Sequence, residues 1–152
     1  ESYQDRDLAA LQQIWGTVSS QDQTITDSIT GIREIIGSTK NNVLRARDTA
    51  THLKGMSGND KLVGSRKDDI LDGGDGNDVL SGNKGADTYV LSSGKDKFRG
   101  FKLKEGDTIE IDSNIAYTLV QSKKNTIIQH DDGVTTVLKI QNDELAGVID
   151  IV

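Results

Sequence analysis

The chain has 152 residues, of which 34% are hydrophobic and 28% charged, with a formal net charge of −6, no proline and no cysteine. This length accommodates one domain with a core, or one domain with an appendage, and an aromatic content of only 4% makes that core thin. The absence of cysteine excludes disulfide staples and thiolate zinc sites and suits an extracellular bacterial protein; the acidic balance disfavours nucleic acid, which needs a basic footprint, and favours cations. No apolar run approaches the ~20 residues of a membrane-spanning helix.

From Arg6 to Ile36 the apolar residues Leu8, Leu11, Trp15, Val18, Ile25, Ile29, Ile32 and Ile36 fall at alternating three- and four-residue spacing, broken by Asp22. The spacing predicts an amphipathic helix over residues 1–36. It either lies over the N-terminal end of the following segment as a cap or forms a coiled-coil seam. Asp22 at a seam position penalises a tight dimer, so a monomer is expected, with a coiled-coil oligomer as the alternative.

Next the chain repeats with a period of nine and no gaps: "GMSGNDKLV" from Gly55, "GSRKDDILD" from Gly64, "GGDGNDVLS" from Gly73 and "GNKGADTYV" from Gly82. Position six is Asp60, Asp69, Asp78 and Asp87, and position eight is Leu62, Leu71, Leu80 and Tyr89. "LSSGKDKFR" from Leu91 keeps Asp96 and Phe98; upstream, "GSTKNNVLR" and "ARDTATHLK" keep Leu44 and Leu53 but have Asn42 and Thr51 at position six. Fading at both ends is the behaviour of terminal repeats that become caps.

Three residues around position eight make one very short strand with the leucine inward, and positions one to six must turn, which glycine permits. Nine residues are half a coil, so units two apart stack in register as parallel strands. Carboxylates stacked in successive loops repel one another unless a cation lies between them. With strands ~4.8 Å apart, an ion halfway between two loops meets oxygens of both near the ~2.3–2.6 Å that Ca²⁺ prefers, and Mg²⁺, at ~2.0–2.1 Å, fits worse.

This pattern resembles the RTX, or hemolysin-type, calcium-binding nonapeptide family, whose motif G-G-x-G-x-D-x-U-x is a known repeat signature. The resemblance covers Gly55 to Arg99 closely and Gly37 to Lys54 loosely. It implies a parallel β-roll with Ca²⁺ held between alternate loops by position-six aspartates and main-chain carbonyls. Carried onto this chain, the metal set is Gly55, Ser57, Asp60, Gly64, Arg66, Asp69, Gly73, Asp75, Asp78, Gly82, Lys84, Asp87, Asp96 and Asp107. The implied pairs are Asp60 with Asp78, Asp69 with Asp87, and Asp78 with Asp96, giving about three ions. Asn42 with Asp60 is a possible fourth, and Thr51 with Asp69 is expected to be empty. At the next turn Asp87 is expected to lack a strong carboxylate partner. "GSRKDD" has Lys67 in place of a glycine and "LSSGKD" lacks both opening glycines, so their loops are expected to be strained or loose.

After the repeats, "DKFRGFKLKEGDTIEI" is similar to the exit segment of the same family: Asp96, Phe98, Phe101, Gly106, Asp107, Ile109 and Ile111 fit, and Gly100 stands where aspartate is common. "AYTLVQ", "NTIIQH" and "TTVLKI" read as strands, the last two joined by the turn "DDG", and are expected to form an antiparallel cap over the open end of the roll. The ending "GVIDIV" is similar to the uncleaved export signal of type I secreted proteins and reads equally well as a final strand.

The expected fold is therefore all-β, a parallel β-roll over residues 37–99 with an antiparallel C-terminal cap over 100–152 and the N-terminal helix. His52 and His130 belong to no catalytic motif and nothing groups a triad, so no enzyme is expected in these residues. Lys95, Lys97, Arg99, Lys102 and Lys104 form one basic stretch in an acidic chain. Two functions stay open. One is a calcium-dependent folding and export module of a larger secreted or cell-surface protein, with the type I secretion machinery as partner. The other is a module that binds acidic polysaccharide or a cell surface, as similar repeats do beside mannuronan epimerase catalytic modules.

Overall fold

The computed structural model of the chain describes residues 23–26, 33–140 and 142–152. Strands β1 (Gln23–Thr26), β2 (Arg33–Ile36), β3 (Val43–Arg45), β4 (Thr51–Lys54), β5 (Lys61–Val63), β6 (Ile70–Asp72), β7 (Val79–Ser81), β8 (Thr88–Val90) and β9 (Gly94–Arg99) follow one another. A 3-10 turn at Leu103–Glu105 precedes β10 (Thr108–Ile111), β11 (Tyr117–Ser122), β12 (Asn125–His130), β13 (Gly133–Val137), helix α1 (Asn142–Leu145) and β14 (Ile149–Ile151). The nine-residue unit places successive strands on alternate walls. One sheet has the order β1-β2-β4-β6-β8-β10-β14, the other β11-β12-β13-β9-β7-β5-β3.

Units two apart stack in parallel register, as the spacing predicts. Leu44, Leu62, Leu80 and Phe98 form one inward column, and Ile35, Leu53, Leu71 and Tyr89 form the facing one. Every one of these side chains is buried, and they constitute half of the buried apolar core among the described residues. Because each short strand contributes one inward side chain, the roll depends on the column being continuous.

Tyr89 stands where a leucine would, and its ring packs on Phe98 and Phe101 at centroid distances of 5.0 and 5.4 Å. The larger side chain brings a hydroxyl into the core, where it accepts from the Gly82 N–H at 2.8 Å and donates to the Arg99 carbonyl at 3.0 Å. Tyr89→Phe should leave both backbone groups unpaired and cost about 1–3 kcal/mol, read as a lower thermal midpoint in saturating calcium. A midpoint equal to that of the unmodified chain would remove these bonds from the account.

The C-terminal strands extend both walls. β10 joins β8 and β14 joins β10, both in parallel, while β13 joins β9 in parallel and continues into the antiparallel meander β13-β12-β11. The antiparallel cap expected from the sequence is this meander. Of the stretch expected to be helical, residues 1–36, the described residues form strands instead, Gln23–Thr26 and Arg33–Ile36, which pair antiparallel. The reason is phase: Ile35, not Ile36, falls in the column 18 residues before Leu53, so the nine-residue repeat runs one unit further upstream than the glycines mark. The remainder of that stretch, residues 1–22 and 27–32, lies outside the described residues.

Candidate metal centre

The turns between strands fall on the two long edges of the roll, and each edge carries a file of position-six side chains. Asn42, Asp60, Asp78 and Asp96 form one file; Thr51, Asp69, Asp87 and Asp107 form the other. All eight are buried. Each aspartate receives on Oδ1 the backbone N–H of the residue one turn earlier: Asp60 from Asn42 (2.6 Å), Asp78 from Asp60 (2.6 Å) and Asp96 from Asp78 (2.9 Å). In the second file Asp69 receives Thr51 (2.8 Å), Asp87 receives Asp69 (2.9 Å) and Asp107 receives Asp87 (3.0 Å). The pairs carried over from the sequence are thus neighbours in space.

One expectation is corrected. Asp87 does have a carboxylate at the next turn, because Asp107 stands there; the connecting loop is two residues longer, so the partner lies 20 residues on and not 18.

Glycine at position one is a matter of contact. A Cβ on Gly55, Gly64, Gly73 or Gly82 would press into the carboxylate of the same loop, and on Gly55 and Gly64 also into the carbonyl of Gly73 and Gly82. Positions two and four turn with positive φ, as at Gly74 (82°) and Gly76 (139°). Loop "GSRKDD" closes differently: the Ser65 N–H donates to Asp69 Oδ2 at 2.5 Å and the Lys67 N–H to Ser65 Oγ at 3.0 Å. Its upstream counterpart "GSTKNN" repeats the arrangement through Ser38, Lys40 and Asn42. Serine and lysine therefore make a second, hydrogen-bonded turn in place of the glycine turn.

Ser57 and Asp75 face each other in a parallel bridge, and the Gly58 N–H donates to the Asp75 carbonyl at 2.9 Å. Arg66 and Lys84, at position three on the other edge, point their side chains to solvent. Position five, unremarked in the sequence, holds a second ladder: Asn41, Asn59 and Asn77 accept the N–H of Asn59, Asn77 and Lys95 at 2.8, 2.9 and 2.9 Å. An asparagine recurring every second unit was its visible signal. The basic stretch divides, with Lys95, Lys97 and Arg99 on β9 and Lys102 and Lys104 in the following loop. His130 lies at the end of β12 with both ring nitrogens buried and unbonded.

Burial raises the carboxyl pKa values, to about 6 for Asp78 and about 7 for Asp87 and Asp96, with neighbouring carboxylates adding to it. Asp69 and Asp107 shift the same way for the same first reason. Asp78 Oδ2 is shut off from solvent and has no hydrogen-bond partner, an expensive state for a carboxylate unless a cation meets it. Among the described residues no three His, Cys, Asp or Glu side chains converge, so an ion here would have to draw on carboxylates of two facing loops and on main-chain oxygens. An all-oxygen donor set of that kind fits a hard cation such as Ca²⁺.

These pKa values carry a sign. A carboxyl raised on folding favours the fold fully below its unfolded value near ~4 and loses that contribution as pH rises through ~6–7. In chelator, the β signal should therefore be strongest near pH ~4 and fall towards neutrality, whereas calcium should restore it at neutral pH, where the ligands are ionised. Circular dichroism against pH, with and without calcium, reads both limbs. A chelated chain that gains β signal on going from acid to neutral pH would contradict the assignment.

Four copies of the RTX calcium-binding nonapeptide repeat match residues 54–89. Residues 54–89 are RTX repeats. RTX repeats bind Ca²⁺, and here they form the β-roll that the stacked registers describe. The crystal structure of extracellular lipase LipA from Serratia marcescens is similar at a TM-score of 0.62 and 16% identity. The match covers 86% of this chain but 26% of the lipase chain, so the chain spans about a quarter of that protein. At this identity the likeness shows the fold alone. No curated protein matches the sequence.

Proposed function

We propose that the chain is a calcium-gated folding module of a larger secreted protein. The observation that carries this reading is the buried file Asp60–Asp78–Asp96, in which Asp78 keeps one carboxylate oxygen with no hydrogen-bond partner. Three ions lie between Asp60 and Asp78, between Asp78 and Asp96, and between Asp69 and Asp87. Main-chain oxygens at positions one and three, Gly55, Ser57, Gly64, Arg66, Gly73, Asp75, Gly82 and Lys84, complete their shells. Asn42 with Asp60 makes a weaker fourth site and the Thr51–Asp69 gap stays empty, because a hydroxyl does not balance the charge. Bound calcium supplies the positive charge that lets stacked carboxylates lie side by side.

The consequence is a switch. Without the ion, repulsion along the files and a core one side chain thick do not offset chain entropy. Extracellular modules bind Ca²⁺ at ~10⁻⁴–10⁻³ M, so the chain stays unfolded in a calcium-poor cytosol, passes a type I exporter, and folds outside. Circular dichroism at neutral pH checks this directly: a disordered repeat region in chelator should convert to β structure as calcium enters that range. A full β signal in chelator, unchanged by calcium, would sink the reading.

A second reading has its own observation. The outward positions of β3, β5, β7 and β9 carry Arg45, Lys61, Lys95, Lys97 and Arg99, all exposed, and no acidic residue. Lys61 and Lys97 share one column along the roll axis, and Arg45 and Arg99 share the next. Such rows suit a linear acidic polysaccharide on the outside of a cell. Retention on a polyuronate matrix at low salt should fall when Lys97 and Arg99 are both replaced by glutamate; unchanged retention would remove this reading and leave the first.

A further inference from the structure

We infer that the gap between the Asp87 and Asp107 loops is closed by the ammonium group of Lys102 and takes no calcium ion. The inference rests on the calcium reading above and identifies where along the roll the ion is replaced. The loop from Phe101 to Asp107 is longer than its predecessors, and its extra residues form the 3-10 turn Leu103–Glu105, ended by Gly106 at φ 92°. This turn raises Lys102 into the position-two role: its backbone N–H donates to Asp107 Oδ2 at 2.7 Å, as Ser65 does to Asp69. The side chain then crosses to the preceding loop. Lys102 Nζ donates to the Asn83 carbonyl at 2.5 Å and lies 3.1 Å from each Glu105 carboxylate oxygen.

One positive charge thus spans the two loops, meeting the position-two carbonyl of one and the Glu105 carboxylate of the next beside the position-six pair. Asp107 carries a backbone N–H on each of its oxygens, from Asp87 and from Lys102, whereas Asp78 Oδ2 has none. Of the two salt bridges among the described residues, Lys54–Glu34 and Lys102–Glu105, only the second lies in a loop file. The turn of the roll nearest the C-terminal strands is accordingly held by a charge built into the chain.

An exposed ion pair contributes little stability by itself, so the decisive readout is the number of ions bound. Calorimetric titration of the full chain with Ca²⁺ should give one more ion for Lys102→Met than for the unmodified chain, since the Asn83 carbonyl and Glu105 become available. Lys104→Met, a charge loss in the same turn, should leave the number unchanged, and so should Asp107→Asn. An unchanged count in Lys102→Met, or one ion lost in Asp107→Asn, overturns the role of Lys102 while the calcium reading stands. Absence of calcium binding in all four chains overturns the calcium reading and this inference with it.

Discussion

Asp78→Ala should raise the calcium concentration for half-folding by about tenfold or more, and should remove two bound ions where Asp87→Ala removes one. Asp78 holds the Asp60 N–H on its carboxylate and gives its own N–H to Asp96, so its loop stands between two of the gaps proposed to hold ions. Removing one member of a buried charged set costs ~3–5 kcal/mol because the remaining charge is left unbalanced, and ~1.4 kcal/mol is already tenfold. Asp87 stands between Asp69 and Asp107 in the same geometry, but with Lys102 in the second gap it serves one ion. Equal ion losses in the two variants, or the greater loss with Asp87→Ala, would show that the assigned gaps are wrong.

Gly76→Ala should cost about 3 kcal/mol or more at saturating calcium. Its φ of 139° lies where side chains are rarely tolerated, and an added Cβ would be driven into the carbonyl oxygen of Gly58 in the adjacent loop. Neither atom can give way, since the Gly58 backbone is itself bonded to Asp75. Gly147→Ala is the comparison, because nothing lies closer to its Cβ position than the Glu144 carbonyl at 3.8 Å. Thermal melting of both variants should show a large loss at Gly76 and little at Gly147; similar midpoints would mean that the loops do not approach as described.

The repeats were legible because each required residue type has a separate physical cause. Position-six aspartate reaches the backbone of the preceding turn, position-one glycine clears that carboxylate, and position-eight leucine fills a column one residue wide. Where one cause is missing, the sequence is ambiguous. Upstream of Gly37 the unit opens on Ser28 and has Arg33 at position six, only Gly31 keeps a motif residue of the turn, and the isoleucines fit a three-four spacing as well as a nine-residue one; only stacking on Leu53 selects Ile35. Asp107 was placed in the metal set by its exit motif, but its partnership with Asp87 was hidden by a 20-residue step in an 18-residue pattern. The basic stretch was continuous in sequence and is divided by the end of β9, while Arg45 and Lys61, distant in sequence, join its first half through strand register.

Calcium between stacked loops is the central claim, and a crystal grown in calcium and measured at a wavelength where calcium scatters anomalously tests it most directly. The account predicts anomalous peaks between the loops of Asp60 and Asp78, of Asp78 and Asp96, and of Asp69 and Asp87, with none between Asp87 and Asp107. A roll that keeps its strand register but shows no peak in the two gaps flanking Asp78 would contradict it.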